Sequence, residues 1–181
     1  MEYIDGVTLH EAVVGGMTPE QAIPHLLKIG DALAHAHARG IIHRDVKPLN
    51  ILIDILQRPY LTDFDLARVR DTSGGTNGAF GTIIYSAPEL ADEAQSADAR
   101  ADVYSLGMTA VFVLGGKTPS REVTRDEAKV IDALPYNSAL RSVLKSAIAW
   151  RPEDRFANMN AFCRALASAW DGGGARVRDT P

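Results

Sequence analysis

The residues of this chain best suited to chemistry stand close together between His43 and Asn50. This stretch holds a carboxylate at Asp45, an ammonium group at Lys47 and a carboxamide at Asn50, and a further carboxylate, Asp63, follows thirteen residues later. Carboxylate and carboxamide oxygens suit Mg²⁺, which completes its shell with water and phosphate oxygens. A lysine ammonium binds phosphate as a point charge. The pattern therefore favours metal-assisted chemistry on a phosphate group, although a lone Asp-x-x-x-x-Asn would be better explained by two side chains that cap a turn.

Three more segments follow in order along the chain. They are Asp63-Phe64-Asp65, Ala87-Pro88-Glu89 and Asp102-Val103-Tyr104-Ser105-Leu106-Gly107. Together with His43-Arg44-Asp45-Val46-Lys47-Pro48-Leu49-Asn50, this ordered set resembles the catalytic loop, the metal-binding turn and the end of the activation segment of protein kinases. The combination is far more specific than any one of its members, and it displaces the interpretation of Asp45 and Asn50 as mere turn caps.

The resemblance covers residues 1–170 and lies entirely in the large, C-terminal lobe of that family. It implies a hinge at 1–6, a catalytic loop at 43–50 and an activation segment at 63–89, and we expect residues 171–181 to form a disordered tail. The implied fold class is mainly α with a small β component, a protein-kinase-like C-lobe with the N-lobe absent. The helical spacing of the apolar residues, interrupted by one short extended stretch, favours the same class.

The family assigns a role to each matching position. The catalytic aspartate accepts the hydrogen bond and then the proton of the substrate hydroxyl, and a lysine and a threonine flank it. The resemblance therefore implies Asp45, Lys47 and Thr82 as catalytic residues. It implies ATP and Mg²⁺ as cofactors, with the metal held by Asn50 and Asp63. The implied nucleotide-binding residues are Glu2, Ile4, Lys47, Asn50, Leu52 and Asp63, of which Leu52 would lie under the adenine ring.

Five further positions carry structural or regulatory roles in the family. The resemblance implies that Glu89 and Arg155 form a buried ion pair, and that Asp102 holds the catalytic loop through backbone N–H groups. Arg44 matches an arginine that binds a phosphate on the activation segment, as guanidinium groups do through paired hydrogen bonds. Thr76 is the favoured phosphate acceptor in that loop, with Thr72 and Ser73 as alternatives.

The same residues bear on the substrate. Kinases of antibiotics and choline share the Asp and Asn pattern but usually lack both the lysine two residues after the aspartate and the Ala-Pro-Glu segment. Lys47 and 87–89 are both present here, which favours a protein kinase. Tyrosine-directed members carry an arginine-containing loop instead. Lys47 and Thr82 therefore imply protein substrates with Ser or Thr acceptors.

The chain departs from the family pattern in two respects. Asp65 stands where the family has a glycine, whose backbone freedom permits the metal-binding turn to flip. The sequence also contains no Gly-x-Gly-x-x-Gly loop, strand lysine or partner glutamate, all of which belong to the small lobe. Three hypotheses follow. The chain is the large lobe of a truncated Ser/Thr kinase and inactive alone, or a non-catalytic protein-binding module, or, as the weakest alternative, a lobe completed by a small lobe in trans.

Composition sets the remaining limits. The chain has 181 residues, 46% of them apolar, and its net charge of −4 with no basic cluster argues against a nucleic-acid partner. Cys163 is the only cysteine, so an internal disulfide and a cysteine-based metal site are excluded. No signal peptide is recognisable, and the longest apolar segment, 103–114, is shorter than the roughly 20 residues that span a bilayer. We therefore expect a cytoplasmic location.

Overall fold

The computed structural model describes residues 4–64, 83–92, 98–120 and 126–171. These residues contain seven α-helices and one three-stranded sheet, in agreement with the predicted mainly helical class. The elements, in chain order, are β1 (Gly6–Thr8), α1 (Leu9–Val14), α2 (Pro19–His37), β2 (Ile51–Asp54), β3 (Pro59–Leu61), α3 (Glu89–Asp92), α4 (Arg100–Gly115), α5 (Glu127–Asp132), α6 (Ser138–Ala147) and α7 (Met159–Asp171).

The sheet places the two ends of the motif region side by side. Strand β2 is built from Ile51-Leu52-Ile53, residues that suit a pleated, half-buried surface. It pairs antiparallel with β1 on one side and β3 on the other. Because Ile51 lies opposite Leu61, the residue before β2 and the residues after β3 are neighbours in space. Asn50 and Asp63, distant by thirteen positions in sequence, are brought to the same end of the sheet in this way.

Helix α2 leads into the catalytic loop, and the sequence defines both of its ends. Pro19 occupies the first helical position, and the Gln21 side chain accepts a hydrogen bond of 2.9 Å from the backbone N–H of Thr18. The helix ends at His37, and Gly40 adopts φ +73°, a left-handed conformation that glycine tolerates without strain.

Helix α4 is the centre of the core. All its residues from Ala101 to Leu114 are buried, as its apolar composition on every side predicts. It contacts α2, α6 and α7, and its end is marked by Gly116 in a left-handed conformation. Asp102 is therefore carried into the middle of the molecule by a helix that cannot shift without disturbing the whole core.

The remaining elements surround that helix. Helices α6 and α7 pack against each other and against α4, with Leu140, Leu144, Phe162 and Leu166 buried between them. Helix α7 continues to Asp171, the first residue of the predicted tail, and 172–181 lie outside the described residues. None of the helices described is long and apolar enough to cross a membrane.

Candidate active site

The carboxylate of Asp45 is the point on which the catalytic loop converges. The Nζ atom of Lys47 donates to both of its oxygens, at 3.0 Å to Oδ1 and 2.8 Å to Oδ2. The Nδ2 atom of Asn50 donates to Oδ2 and to the backbone carbonyl of Asp45, each at 2.9 Å. The side chains of Lys47 and Asp45 are 15% and 18% exposed, so the pair stands at the surface of a partly closed site.

The local backbone explains this convergence. Pro48–Asn50 form a single 3₁₀ turn, in which the Asn50 N–H donates to the carbonyl of Lys47 at 2.9 Å. Proline suits the first position of such a turn because it has no N–H to satisfy. The turn directs the Asn50 side chain back over Asp45. Side chains spaced along the sequence are thus gathered around one carboxylate.

His43 is fully buried and holds the catalytic loop through its imidazole ring. The Asp45 N–H donates to its Nδ1 at 3.2 Å, so the ring proton is on Nε2, which donates to the carbonyl of Thr62 at 2.8 Å. The Phe64 ring meets the imidazole edge-on, with centroids 4.6 Å apart. His43 therefore connects the catalytic loop to the segment that follows β3, and its role is structural.

Asp63 is held next to Asn50 through Thr62. The Thr62 N–H and hydroxyl donate to the Asn50 carbonyl at 2.9 and 3.2 Å, and the same hydroxyl is 3.4 Å from Oδ2 of Asp63. Asp63 is exposed and has φ +64°, a conformation that non-glycine residues rarely adopt. Strained backbone of this kind costs about 1–3 kcal/mol and is concentrated at functional sites.

The donor set of this corner fits a magnesium ion. Because Nδ2 of Asn50 is engaged with Asp45, Oδ1 is the atom of that side chain that can bind a metal, and the exposed Asp63 offers a carboxylate that Thr62 links to the Asn50 backbone. No group of three or more His, Cys, Asp or Glu in the described parts of the chain is placed to hold a metal ion. Two protein ligands are nevertheless enough for Mg²⁺, which takes its other ligands from phosphates and water.

Asp102 holds the start of the catalytic loop. Its Oδ2 accepts from the N–H of His43 and its Oδ1 from the N–H of Arg44, both at 2.8 Å, in a fully buried position. Arg44 has φ +66°, a second strained residue in the same loop. Among the described residues, the Nε atom of Arg44 is buried without a hydrogen-bond partner. The Asp102 carboxylate thus stabilises a backbone conformation that this part of the chain would not adopt unaided.

Glu89 and Arg155 form a two-pronged ion pair, 66 residues apart in the sequence. Nη1 and Nη2 of Arg155 donate to the two carboxylate oxygens at 2.7 and 2.8 Å. The guanidinium also lies 4.9 Å from the ring centroid of Tyr104. Burial raises the pKa of Tyr104 to about 12 although the positive charge of Arg155 acts to lower it, so this phenol stays neutral.

Several predicted site residues cannot be placed. Glu2, Thr76 and Thr82 lie outside the described residues, as do Asp65, Thr72 and Ser73. Ile4 lies two residues before the start of β1, and Leu52 lies in β2 opposite Thr8 and Tyr60. Both side chains are half-buried.

One contact at the site was not predicted. His37 places its Nε2 2.7 Å from Oδ2 of Asp102. No sequence signal identifies this contact, because 65 residues separate the two partners and neither lies in a metal-ligand pattern. Only the position of His37 in the last turn of the helix that leads into the loop offers a hint.

Comparisons with known proteins agree with this geometry. The model of the protein kinase domain family matches residues 1–167. Serine/threonine-protein kinase PknB of Mycobacterium tuberculosis (strain H37Rv) is 39% identical in an alignment of 176 positions that covers 86% of this chain and 28% of the relative. PknJ of the same organism is 32% identical over 193 positions, covering 96% of this chain and 33% of the relative.

A solved structure shows the same fold. The crystal structure of the Mycobacterium tuberculosis PknI kinase domain superimposes with a TM-score of 0.74 at 29% identity, and covers 93% of this chain and 64% of that chain. The chain thus spans about a third or less of these two curated relatives and less than two thirds of the solved kinase domain. The family match, the shared fold and the convergence on Asp45 lead to one conclusion: this chain belongs to the protein kinase domain family.

Proposed function

We propose that this chain is the large lobe of a serine/threonine protein kinase that transfers the γ-phosphate of ATP to protein substrates with Mg²⁺. The observation that supports this most directly is the convergence of Lys47 and Asn50 on the carboxylate of Asp45, with Asp63 held beside Asn50. Phosphoryl transfer depends on such positioning and on charge stabilisation more than on covalent chemistry by the protein.

In this proposal Asp45 orients the substrate hydroxyl by accepting its hydrogen bond. As the oxygen attacks the γ-phosphorus and the bond to the β-phosphate oxygen breaks, Asp45 takes the hydroxyl proton. Lys47 already lies within hydrogen-bond distance of Asp45 and stabilises the charge on the transferring phosphoryl group. Asn50 and Asp63 hold Mg²⁺, which when bound neutralises negative charge on the phosphate oxygens.

The other assignments are proposed on the family resemblance. Leu52 and Ile4 contact the adenine, with Glu2 in the hinge, and Thr82 supports the lysine and the aspartate. Arg44 receives a phosphate placed on Thr76, and its Nε, which has no hydrogen-bond partner among the described residues, can donate to that phosphate.

Asp102, Glu89 and Arg155 stabilise the site without contacting the substrate in this proposal. Asp102 sets the backbone of His43 and Arg44, and the pair Glu89–Arg155 ties the end of the activation segment to α4 and the loop before α7.

Phosphotransfer measurements test the catalytic roles. The protein as its source cells make it is incubated with Mg²⁺, radiolabelled ATP and a generic Ser/Thr substrate protein, alongside Asp45→Asn and Asp63→Asn. We expect both variants to lose about 10³-fold or more in rate, since each removes a group that acts in the transition state. Asp31→Asn, an exposed aspartate on α2, is the matched control and keeps the rate of the original protein. Near-normal turnover by Asp45→Asn would refute the role assignment.

The intact mass of the endogenous protein tests the domain assignment. A mass clearly above 19.5 kDa is expected for a large lobe within a longer kinase. A mass of 19.5 kDa, with no phosphotransfer by the unmodified protein, would instead favour the protein-binding module, for which the argument is Asp65 in place of glycine.

A further inference from the structure

The hairpin turn between β2 and β3 places two large aliphatic side chains in water. Ile55 and Leu56 are 75% and 65% exposed, although burial would stabilise both. They occupy the two central positions of a turn that the Gln57 N–H closes with a 2.9 Å bond to the Asp54 carbonyl. Polar residues, glycine and proline are usual at such positions. The tip of the hairpin, residues 55–57, is therefore an apolar surface that the turn itself does not require.

The backbone of the tip is held in a conformation that its sequence disfavours. Gln57 has φ +59°, in the left-handed region where a three-residue hairpin loop commonly has glycine. The Asp54 carboxylate accepts from the N–H groups of Leu56 and Arg58, at 2.9 and 2.8 Å. It also accepts from Nε of Arg58 at 2.7 Å and from the Tyr60 hydroxyl at 3.2 Å. Strain that is retained in this way is concentrated at functional sites, and a turn already held in place loses little freedom when it binds.

Positive charge lies on one side of the tip. Arg58, at the start of β3, has a side chain that is 60% exposed. On α2, His25 is contacted by the Gln57 side chain, and the exposed Lys28 follows three residues later. Burial, with a smaller contribution from the charge of Lys28, lowers the pKa of His25, so the histidine is neutral at pH 7 and adds no charge. Two cations therefore border the tip on the side of β3 and α2.

The charges decide between the possible occupants of the tip. A second copy that met the tip with its own tip would bring these cations together, which like-charge repulsion opposes. The two longest stretches outside the described residues, 65–82 and 172–181, have no excess of acidic residues. The exposed Asp5 directly precedes β1 and confines the positive charge to the side of β3 and α2. A complementary partner thus carries apolar residues with acidic residues on one flank.

We propose that the tip is a docking surface for a segment of another protein in which two apolar residues are flanked on one side by aspartate or glutamate. The apolar residues pack on Ile55 and Leu56, and the acidic residues pair with Lys28 and Arg58. Strand β2 has four residues, so the tip lies about 13 Å from Asn50 at the other end of the strand. A partner bound there leaves the catalytic loop accessible, and the inference does not depend on the proposed function.

The test uses the full protein and peptides displayed on phage. A random library of short peptides is selected on the unmodified protein after depletion on the double variant Ile55→Ser/Leu56→Ser. The dissociation constant of a selected peptide is then measured by fluorescence anisotropy. Lys28→Glu reverses one of the two charges, and Val14→Ser is the matched control, because Val14 is an apolar residue 66% exposed at the end of α1. Sedimentation equilibrium of the unmodified protein and urea unfolding of all variants are measured in parallel.

We expect the selected peptides to share two apolar residues with acidic residues on one side of them. The double variant should weaken binding about tenfold or more, because a few buried anchors carry most of the affinity of an interface. Lys28→Glu should weaken binding about three- to tenfold, with a smaller effect at high salt, where surface charges are screened. Val14→Ser should bind like the unmodified protein. The double variant should unfold at the same or a higher urea concentration, since serine suits a turn.

Several results would overturn the inference. Selected peptides without a common pattern, or with basic residues in place of acidic ones, would exclude the proposed partner. Equal binding by the unmodified protein and either the double variant or Lys28→Glu would exclude the proposed surface. A dimer of the unmodified protein that the double variant abolishes would identify a second copy as the occupant. A double variant that fails to fold, or unfolds at a lower urea concentration than Val14→Ser, would show that the two side chains serve the fold.

Discussion

The guanidinium of Arg155 makes a hydrogen bond with each of its five N–H groups, and this predicts what a conservative substitution will cost. Besides the two bonds to Glu89, Nε donates to the carbonyl of Ala149 at 2.7 Å, Nη1 to that of Arg100 at 3.1 Å and Nη2 to that of Trp150 at 2.9 Å. The Arg155 side chain is fully buried, and that of Glu89 is 19% exposed. Water is therefore a poor substitute for any of these five bonds.

Lysine keeps the charge but not the geometry. An ammonium group has three N–H donors, so at least two of the five acceptors around Arg155 lose their partner in Arg155→Lys. Each buried polar group left unpaired costs about 1–3 kcal/mol, which sets the loss in free energy of unfolding at about 2 kcal/mol or more. Arg155→Met also leaves Glu89 without its counter-charge, and for a buried pair broken on one side we expect about 3–5 kcal/mol.

Both losses in free energy of unfolding are measured by urea denaturation, monitored by circular dichroism, as shifts in the midpoint urea concentration with an unchanged dependence of the free energy on urea concentration. The comparison is Lys145→Met, which breaks the ion pair with Asp132, where the side chains are 35% and 52% exposed. Surface pairs of this kind contribute about 0–1 kcal/mol, so this control should barely move the midpoint. If Arg155→Lys were as stable as the original protein to within about 0.5 kcal/mol, the five-bond account of Arg155 would be wrong.

Three further predictions concern packing and protonation. A β-carbon at Gly30 would overlap Sγ of Cys163. In a double-mutant cycle, Gly30→Ala should therefore lower the free energy of unfolding by about 1–3 kcal/mol more in the original protein than in the Cys163→Ala variant. Equal losses in the two backgrounds would refute the overlap. Burial, with a smaller contribution from the charge of Asp31, raises the pKa of Cys163 from 9.0 to about 11. Because the thiolate is the reactive form, iodoacetamide at pH 8 should alkylate Cys163 at least about 100-fold more slowly in the native protein than in the urea-unfolded chain. Burial alone would raise the pKa of Asp54, but hydrogen bonds from Arg58, Leu56 and Tyr60 lower this pKa overall. The free energy of unfolding lost in Asp54→Asn should therefore be constant from pH 7 to about pH 5 and shrink below about pH 4, where the carboxylate of the original protein becomes protonated. A loss that does not change with pH would contradict this account of Asp54.

The sequence predicts the helices that carry strong local signals. Thr18-Pro19 marks the start of α2 and Gly40 follows its end, and the apolar run from Val103 to Leu114 could only be a buried helix. Helices α1 and α5 were not predicted, because each has only six residues and a periodic pattern of apolar residues cannot be recognised over so short a segment. For α1 a signal did exist: Thr8 and Glu11 form a reciprocal capping box, with bonds of 3.1 and 2.8 Å.

The residues of the site, unlike the helices, are predicted from the order of the motifs and not from hydrophobic periodicity. Composition and spacing alone select Asp45, Lys47, Asn50 and Asp63 as possible metal and phosphate ligands. They contain nothing that pairs Glu89 with Arg155, which only the family resemblance suggested before the structure placed them in contact. Contacts of this range depend on the tertiary fold, and a single sequence does not encode them in any local pattern.

The strained backbone of the site is the part that neither route could reach. Arg44 and Asp63 both have positive φ, yet arginine is rarely found there, and aspartate, although enriched there, adopts it in only a minority of cases. Each is stabilised from elsewhere, Arg44 by the fully buried Asp102 and Asp63 by a segment tied through Thr62 to the Asn50 carbonyl. A local sequence can disagree with its own conformation only where the surrounding fold over-determines it. Asp102, which supplies this constraint for Arg44, therefore shapes the catalytic loop from a helix that lies far from it in the sequence.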